Sequence, residues 1–250
     1  MKQIDLRALL EAGCHFGHEV KRWHPKAKDY IYTQKDGIHI IDLVKTKEDL
    51  IAACDFALSL SKQGKKLLFV GTKRQARAVI LSEAKAAGAP YFNQRWVGGF
   101  ITNWDEINKS ITKLNKMDQD KAKGNWKQFP KHEQLKLDKE RLHLEKFYGG
   151  VKAMKGLPDG LFIVDIRKES SAVNEAVKKD IPVIGIVDTN SNPQLVEYPI
   201  PANDDAVKSI TIITQIIASA YADGLVEYTK SKEQEIKRAK KTNKEEKNVK

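Results

Sequence analysis

The chain has 250 residues, 41 % of them hydrophobic, enough for one large α/β domain with an appendage or for two domains. Its net charge is +11 and its isoelectric point about 9.4, which favours a polyanionic partner, and the excess is uneven: residues 1–150 carry 28 basic and 18 acidic side chains, 151–229 carry 7 and 11, and 230–250 carry 9 and 4. Two cysteines without CxxC spacing exclude a disulfide framework and a cysteine zinc site, and the absence of an uninterrupted apolar run of bilayer length leads us to expect neither export nor a membrane span.

Residues 9–28, LLEAGCHFGHEVKRWHPKAK, begin as a short apolar helix and run into glycines, rings and cations. Glycine lets backbone approach a partner closely, cations meet phosphate and rings offer faces for stacking. Lys21, Arg22, Trp23, His24, Lys26 and Lys28 are therefore candidate RNA contacts. His15, His18, His24 and His39 sit in no nucleophile or metalloprotease motif, so no catalytic residue is assigned. Residues 29–41 alternate around Asp36-Gly37 as a β-hairpin, and 46–63 read as an amphipathic helix opened by Thr46. KKLLFVGT is a buried strand, KRQARAVILSEAKAAG a helix closed by Gly88, and Pro90-Tyr91-Phe92 a short strand. The turn FVGTKRQA has one glycine where a nucleotide-cradling loop needs several, and Thr72 can cap the helix with no ligand present. Lys73, Arg74 and Arg77 at that helix N-terminus suit a phosphate backbone.

In NQRWVGGFITNW (93–104) the chain leaves the sheet. We read its tryptophans as packing and Arg95 and Asn103 as RNA contacts. Residues 102–150 hold no strand pattern and read as two charged helices joined by GNWKQFPK. Ile107, Ile111 and Leu114 in the first, and Leu137, Leu144 and Tyr148 beside Leu135 and Leu142 in the second, make the narrow seams of an antiparallel helical hairpin. Its Lys109, Lys113, Lys116 and Lys121 are offered to phosphate. GLFIVDI (160–166), a helix ending near Lys179, the strand IPVIGIVDT and a buried helix over 204–222 follow. Apolar strands alternating with helices predict a parallel sheet covered on both faces.

VDTNSNP (187–193) and IPANDDA (200–206) fall at the carboxyl edge of that sheet, where ligands of such folds gather. There Asp188, Asp204 and Asp205, with His18 or His15, could hold one divalent ion: zinc if histidine takes part, magnesium if carboxylates act alone. In the alternative, Asp204 caps its helix and Asp188 ties down a turn. The expected organisation is one discontinuous α/β domain, 1–101 and 151–226, a coiled-coil hairpin over 102–150, and a charged tail over 227–250, disordered or helical only when bound.

AGCHFGHEVKRWHPK, GIHIIDLVKT, FVGTKRQA, NQRWVGGFITNW, LPDGLFIVDIRKESSAVNEAVKKDIPVIGIVDTNSNP and YPIPANDDAVKSI, in that order, resemble the ribosomal protein S2 family from Leu9 to about Gly224. The form with a hairpin in this gap is bacterial or organellar. The resemblance implies a Rossmann-like (flavodoxin-like) parallel sheet with an inserted antiparallel coiled-coil helical hairpin. It implies a structural constituent of the small ribosomal subunit, not an enzyme and requiring no cofactor. Such a protein binds small-subunit ribosomal RNA and neighbouring ribosomal proteins, including ribosomal protein S1, and supports translation in a cytoplasmic ribosome, or in a plastid or mitochondrial one. The chain departs from the family at Asn192, often Asp, at Ala27, commonly bulky, and in its basic tail. The rival from another class, a nucleotide-dependent transferase, needs a pyrophosphate loop that FVGTKRQA does not supply.

Overall fold

A computed structural model of the chain describes residues 4–248, with side chains described from residue 4 to 233. The N-terminal part holds a short helix α1 (Leu6–Glu11), capped by the Asp5 carboxylate, and strands β1 (Phe16–Glu19), β2 (Ile31–Lys35) and β3 (Ile38–Ile41). The expected hairpin is β2–β3, and its Asp36-Gly37 turn has both φ angles positive, 50° and 77°. Sequence reading missed β1, which pairs antiparallel with β3 to give the order β1-β3-β2. Its FGHE has no apolar alternation to announce a strand.

Helix α2 (Leu43–Lys62) starts earlier than expected. Asp42, not Thr46, accepts the capping bond, from Val44 N. Thr46 is buried and its hydroxyl donates instead to the carbonyls of Asp42 and Pro201. Strand β4 (Leu67–Val70), α3 (Arg77–Ala86), β5 (Tyr91–Phe92), α4 (Trp104–Ala122), α5 (Lys131–Tyr148), β6 (Gly160–Val164), α6 (Ser170–Lys178), β7 (Val183–Val187), β8 (Tyr198–Pro201) and α7 (Val207–Asn248) complete the chain. The five strands β4–β8 form one parallel sheet in the order β5-β4-β6-β7-β8, the flavodoxin-like 2-1-3-4-5 arrangement.

Both faces of this sheet are covered, which is why its strands are apolar throughout. Leu67, Phe69, Phe162 and Val164 join α2, α3 and α7 in one core; Leu68, Val70, Leu161 and Ile163 join α6, the loop around Phe100 and the start of α4 in the other. Helices α2 and α7 touch at Gly224, where a Cβ would stand 2.0 Å from Ser61 Oγ and 2.7 Å from the Leu58 carbonyl. By length and composition Val207–Glu233 would suffice to cross a bilayer, which the search for uninterrupted apolar runs did not flag; half of that stretch is buried inside the protein as a core helix. Beyond it the backbone continues as helix to Asn248, where a disordered tail was expected; the segment after Gly224 lacks Gly and Pro and is rich in Lys, Glu and Gln, all good helix formers.

Helices α4 and α5 pack against each other across the pairs Lys113–Glu140, Lys121–Asp138 and Arg141–Asp118. Their seams are unequal. Ile107, Ile111, Leu114 and Met117 of α4 are buried, whereas α5 buries no side chain: Leu137, Leu144 and Tyr148 are half-buried and Leu135 and Leu142 exposed.

Candidate nucleic-acid interface and cation site

In a 2-1-3-4-5 sheet the ligand crevice opens where strand order reverses, here between the carboxyl ends of β4 and β6. That crevice holds a side chain of the chain itself. Glu169 Oε1 accepts from the backbone N–H of Thr72 at 3.0 Å and from its hydroxyl, with the residue 3 % exposed. Burial is the main force raising the pKa of Glu169, and the hydrogen bonds from Thr72 oppose it. The bonding capacity that a phosphate would need at this turn is thus taken by an internal carboxylate. Thr72 is not a helix cap; its hydroxyl serves Glu169. Asp165, at the end of β6, adopts a left-handed φ of 65° and accepts from Lys168 N.

Lys73 points inward, not to solvent. Its Nζ lies 2.7 Å from Asp204, 2.5 Å from Asp205 and 3.1 Å from Asp165, with the side chain 12 % exposed. Burial alone would lower its pKa, but the carboxylates outweigh it and raise it. Beside this knot, His18 Nδ1 stands 3.0 Å from Asp188 Oδ1 and Nε2 stands 3.5 Å from Asp205. One ligand atom each from His18, Asp188 and Asp204 lies within 4.8 Å of the other two. Asp204 is 1 % exposed, and its Oδ2 has no hydrogen-bond partner while Oδ1 takes Lys73. Burial, then the charges of Asp165 and Asp188, push Asp204 up to about 7. The hydrogen bond to Asp188 is the main force holding His18 above its ordinary value, against the burial that opposes it. The cluster therefore brings together three of the four predicted ligands and leaves Asp205, half-exposed, at its rim. Asp204 caps nothing with its side chain; Asn203 Oδ1 does that, accepting from Asp205 N and Ala206 N. Asp188 does tie down its turn, through Thr189 N and Oγ1. His15 packs on Phe16 away from this set.

The cationic N-terminal segment is sewn to the same edge. His24 N donates to the Thr189 carbonyl at 2.7 Å, and His18 N to Thr189 Oγ1 at 2.9 Å. Gly17 is required there, since a Cβ would stand 2.7 Å from Thr189 Cγ2. On this fixed backbone Lys21, Arg22, Lys26 and Lys28 are all exposed. Arg22 has a loose pairing with Glu19 at 3.6 Å; the other three make no ion pair among the described residues. His24 is partly committed, its Nδ1 accepting from Lys26 N to start a 3-10 turn at Pro25. Trp23 is half-buried with its ring 5.5 Å from His39.

The other predicted contacts divide similarly. Arg74, Arg95 and Asn103 are exposed, and Arg95 is unpaired among the described residues. Arg77 braces the loop, its Nε donating to the Thr72 carbonyl. Lys109, Lys113 and Lys121 are each engaged by a carboxylate on the helices, Glu106, Glu140 and Asp138; Lys116 is exposed and without such a partner among the described residues. The tryptophans pack, as expected: Trp96 Nε1 donates to the buried Glu175, and Trp104 meets Phe100 edge to face. Sequence reading missed Glu175, whose two oxygens also take the N–H groups of Gly99, Ile101 and Thr102 and so fix the loop that launches α4.

With this geometry in hand, the comparisons with known proteins are specific. The family described as Ribosomal protein S2 matches residues 9–224. The chain is 50 % identical to small ribosomal subunit protein uS2 of Coprothermobacter proteolyticus over 90 % of its own length and 84 % of that protein. It is 49 % identical to small ribosomal subunit protein uS2c of Rhodomonas salina, covering 90 % and 92 %, and 47 % identical to uS2 of Koribacter versatilis, covering 90 % and 74 %.

Proposed function

Since the chain belongs to the ribosomal protein S2 family, we propose that it is a non-catalytic scaffold that grips ribosomal RNA with the carboxyl edge of its sheet. It is a structural constituent of the small ribosomal subunit, associated there with small-subunit RNA and other ribosomal proteins. Its near-equal identity to the Coprothermobacter and Rhodomonas proteins fits a cytoplasmic and a plastid ribosome alike.

The observation that carries the RNA reading is the exposed set Lys21, Arg22, Lys26 and Lys28, held on a backbone fixed to Thr189. Cations without carboxylate partners lose little on meeting phosphate, and a rigid mount reduces the ordering cost of binding. Arg74 and Arg95 extend the surface. The filled crevice at Glu169 supports the non-catalytic reading over a nucleotide-dependent transferase, because an anion arriving at Thr72 would meet a carboxylate already bound. The test is reassembly of small subunits lacking this protein, followed by sucrose-gradient sedimentation. The native chain should travel with the particle and a K21A/R22A/K26A/K28A variant should stay at the top; equal co-migration of the two sinks this reading.

A cation belongs to the same proposal. The orphaned Asp204 Oδ2, with Asp188 and an imidazole nitrogen of His18, forms an N/O donor set of the zinc type rather than the all-oxygen set of magnesium. Bound there, a cation would replace repulsion between Asp188 and Asp204 with shared coordination. Calorimetric titration with zinc should reach one equivalent, and D204N should abolish uptake; undiminished uptake by D204N removes the site.

Recruitment of ribosomal protein S1 needs an apolar landing place. The exposed Leu6, Leu10, Tyr32 and Val44 border a depression of about 430 Å³ between α1 and the β2–β3 hairpin, while the helical hairpin offers Leu135 and Leu142. The depression is the broader surface and is our choice. L10S/Y32S should weaken S1 capture by depleted particles, and deletion of 105–147 should not; the reverse pattern assigns docking to the hairpin.

A further inference from the structure

A cleft of about 340 Å³, within the size range of small-molecule sites, opens where the loop after β5 faces the base of α4 and α5. Its walls carry Arg95, Trp96, Ser110, His143, Phe147 and Tyr148. Trp96 is immobilised by its bond to Glu175, so the indole is a fixed wall. His143 and Phe147 lie 5.1 Å apart, their planes 63° to one another, and Phe147 and Tyr148 are only half-buried. Rings left open in this way offer unfilled stacking surface, and the Ser110 hydroxyl and Tyr148 phenol give hydrogen-bonding capacity to a polar, flat occupant.

The charge at the mouth is positive. Arg95 is exposed and makes no ion pair among the described residues; Lys146 stands over the Phe147 ring at 5.9 Å. The nearby carboxylates are engaged elsewhere: Glu140 with Lys113, Glu145 with Lys152, and Glu106 with Lys109. Aromatic faces beside an unpaired guanidinium match an unpaired base with its phosphate, the way single-stranded RNA is held; a duplex has no free base face to offer.

We propose that this cleft is a second RNA site, which captures one unpaired nucleotide, the base against Phe147 and His143 and the phosphate on Arg95. It rests on the RNA reading above but uses residues outside the N-terminal cation set, so the two can fail separately. The experiment is fluorescence anisotropy of the full chain with a labelled, non-pairing uridine-rich octamer and with a 12-base-pair RNA duplex. Phe147→Ala should weaken octamer binding about tenfold or more, the size expected for loss of a base–aromatic stack, and leave duplex binding within about twofold. Arg95→Gln should weaken the octamer too, and 4-thiouridine in the octamer should crosslink to residues 143–148. If Phe147→Ala fails to fold by circular dichroism, exposed His143→Ala takes its place with the same expected selectivity. Unchanged octamer affinity in folded variants overturns the proposal, as do crosslinks confined to residues 21–28. Native protein that binds neither RNA overturns the RNA reading as a whole. Loss of a ribosomal protein partner without loss of octamer assigns the cleft to protein and overturns it as well.

Discussion

Glu175 and Glu169 are both buried acids near the sheet, and their partners set them apart. Glu175 divides five donors between its two oxygens: Trp96 Nε1 and Gly99 N on one, Ile101 N, Thr102 N and the Thr102 hydroxyl on the other. Glu175→Gln turns one acceptor oxygen into a donor that faces N–H groups, and should cost about 2–4 kcal/mol in urea unfolding. Glu169 uses Oε1 alone, which glutamine keeps, so Glu169→Gln should change stability by less than about 1 kcal/mol. Burial works to raise the pKa of Glu175, but the bonds from Trp96, Gly99, Thr102 and Ile101 prevail and lower it below the ordinary 4.5. A depressed folded value means stability that is present in full above the unfolded value and lost as pH falls through the folded one. Unfolding midpoints should therefore drop as pH is taken below about 4.5. In Glu175→Gln that part of the pH dependence should be flatter, and a curve parallel to the native one excludes the assignment. These roles were not legible in the sequence. An acid in the run Arg167-Lys168-Glu169 or Asn174-Glu175 reads as a solvated charge, because only the tertiary fold says which way a helix-end side chain points. Lys73 was misread for the same reason, as a phosphate contact when it closes a carboxylate cluster.

Among elements, those with one dominant period were legible. The apolar runs gave β4, β6 and β7, and Asp36-Gly37 gave the β2–β3 turn. Elements made by long-range pairing were not: β1 exists through β3, and the long α7 exceeds its apolar segment. The contact of α2 with α7 is set by Gly224. Gly224→Ala gains up to about 1 kcal/mol in helix propensity, yet its Cβ meets Ser61 Oγ and the Leu58 carbonyl at distances neither can keep. The clash should win, with a net loss of about 1–2 kcal/mol by thermal unfolding. Adding Ser61→Ala should restore part of it; no restoration points to the Leu58 backbone as the sole obstacle. The hairpin behaves differently, because α5 buries no side chain and meets α4 largely through exposed ion pairs that salt screens. Amide hydrogens of α5 should exchange faster than those of α4, and more so in 1 M salt. Equal protection in both helices shows that apolar contact holds them.

For the whole molecule, the uneven charge becomes a thermodynamic slope. Each lysine or arginine that meets a phosphate should add about 0.7–0.9 to the dependence of log affinity on log salt. Removing Lys21, Arg22, Lys26 and Lys28 together should lower that slope by roughly 3–4, whereas Lys73→Ala should leave it unchanged and act on stability. A slope that moves with Lys73 places that side chain on RNA. The cations that set this slope sit near the start of the chain, on backbone pinned at Thr189 and beside Asp188 and Asp204. A ribosome making this protein releases residue 24 roughly ten to forty seconds before residue 204, at 5–20 residues per second. Through that interval the grip is chemically present and geometrically unfinished. Timing alone thus gives the chain a proofreading step: a prematurely terminated copy carries the charges for RNA and never the frame that aims them.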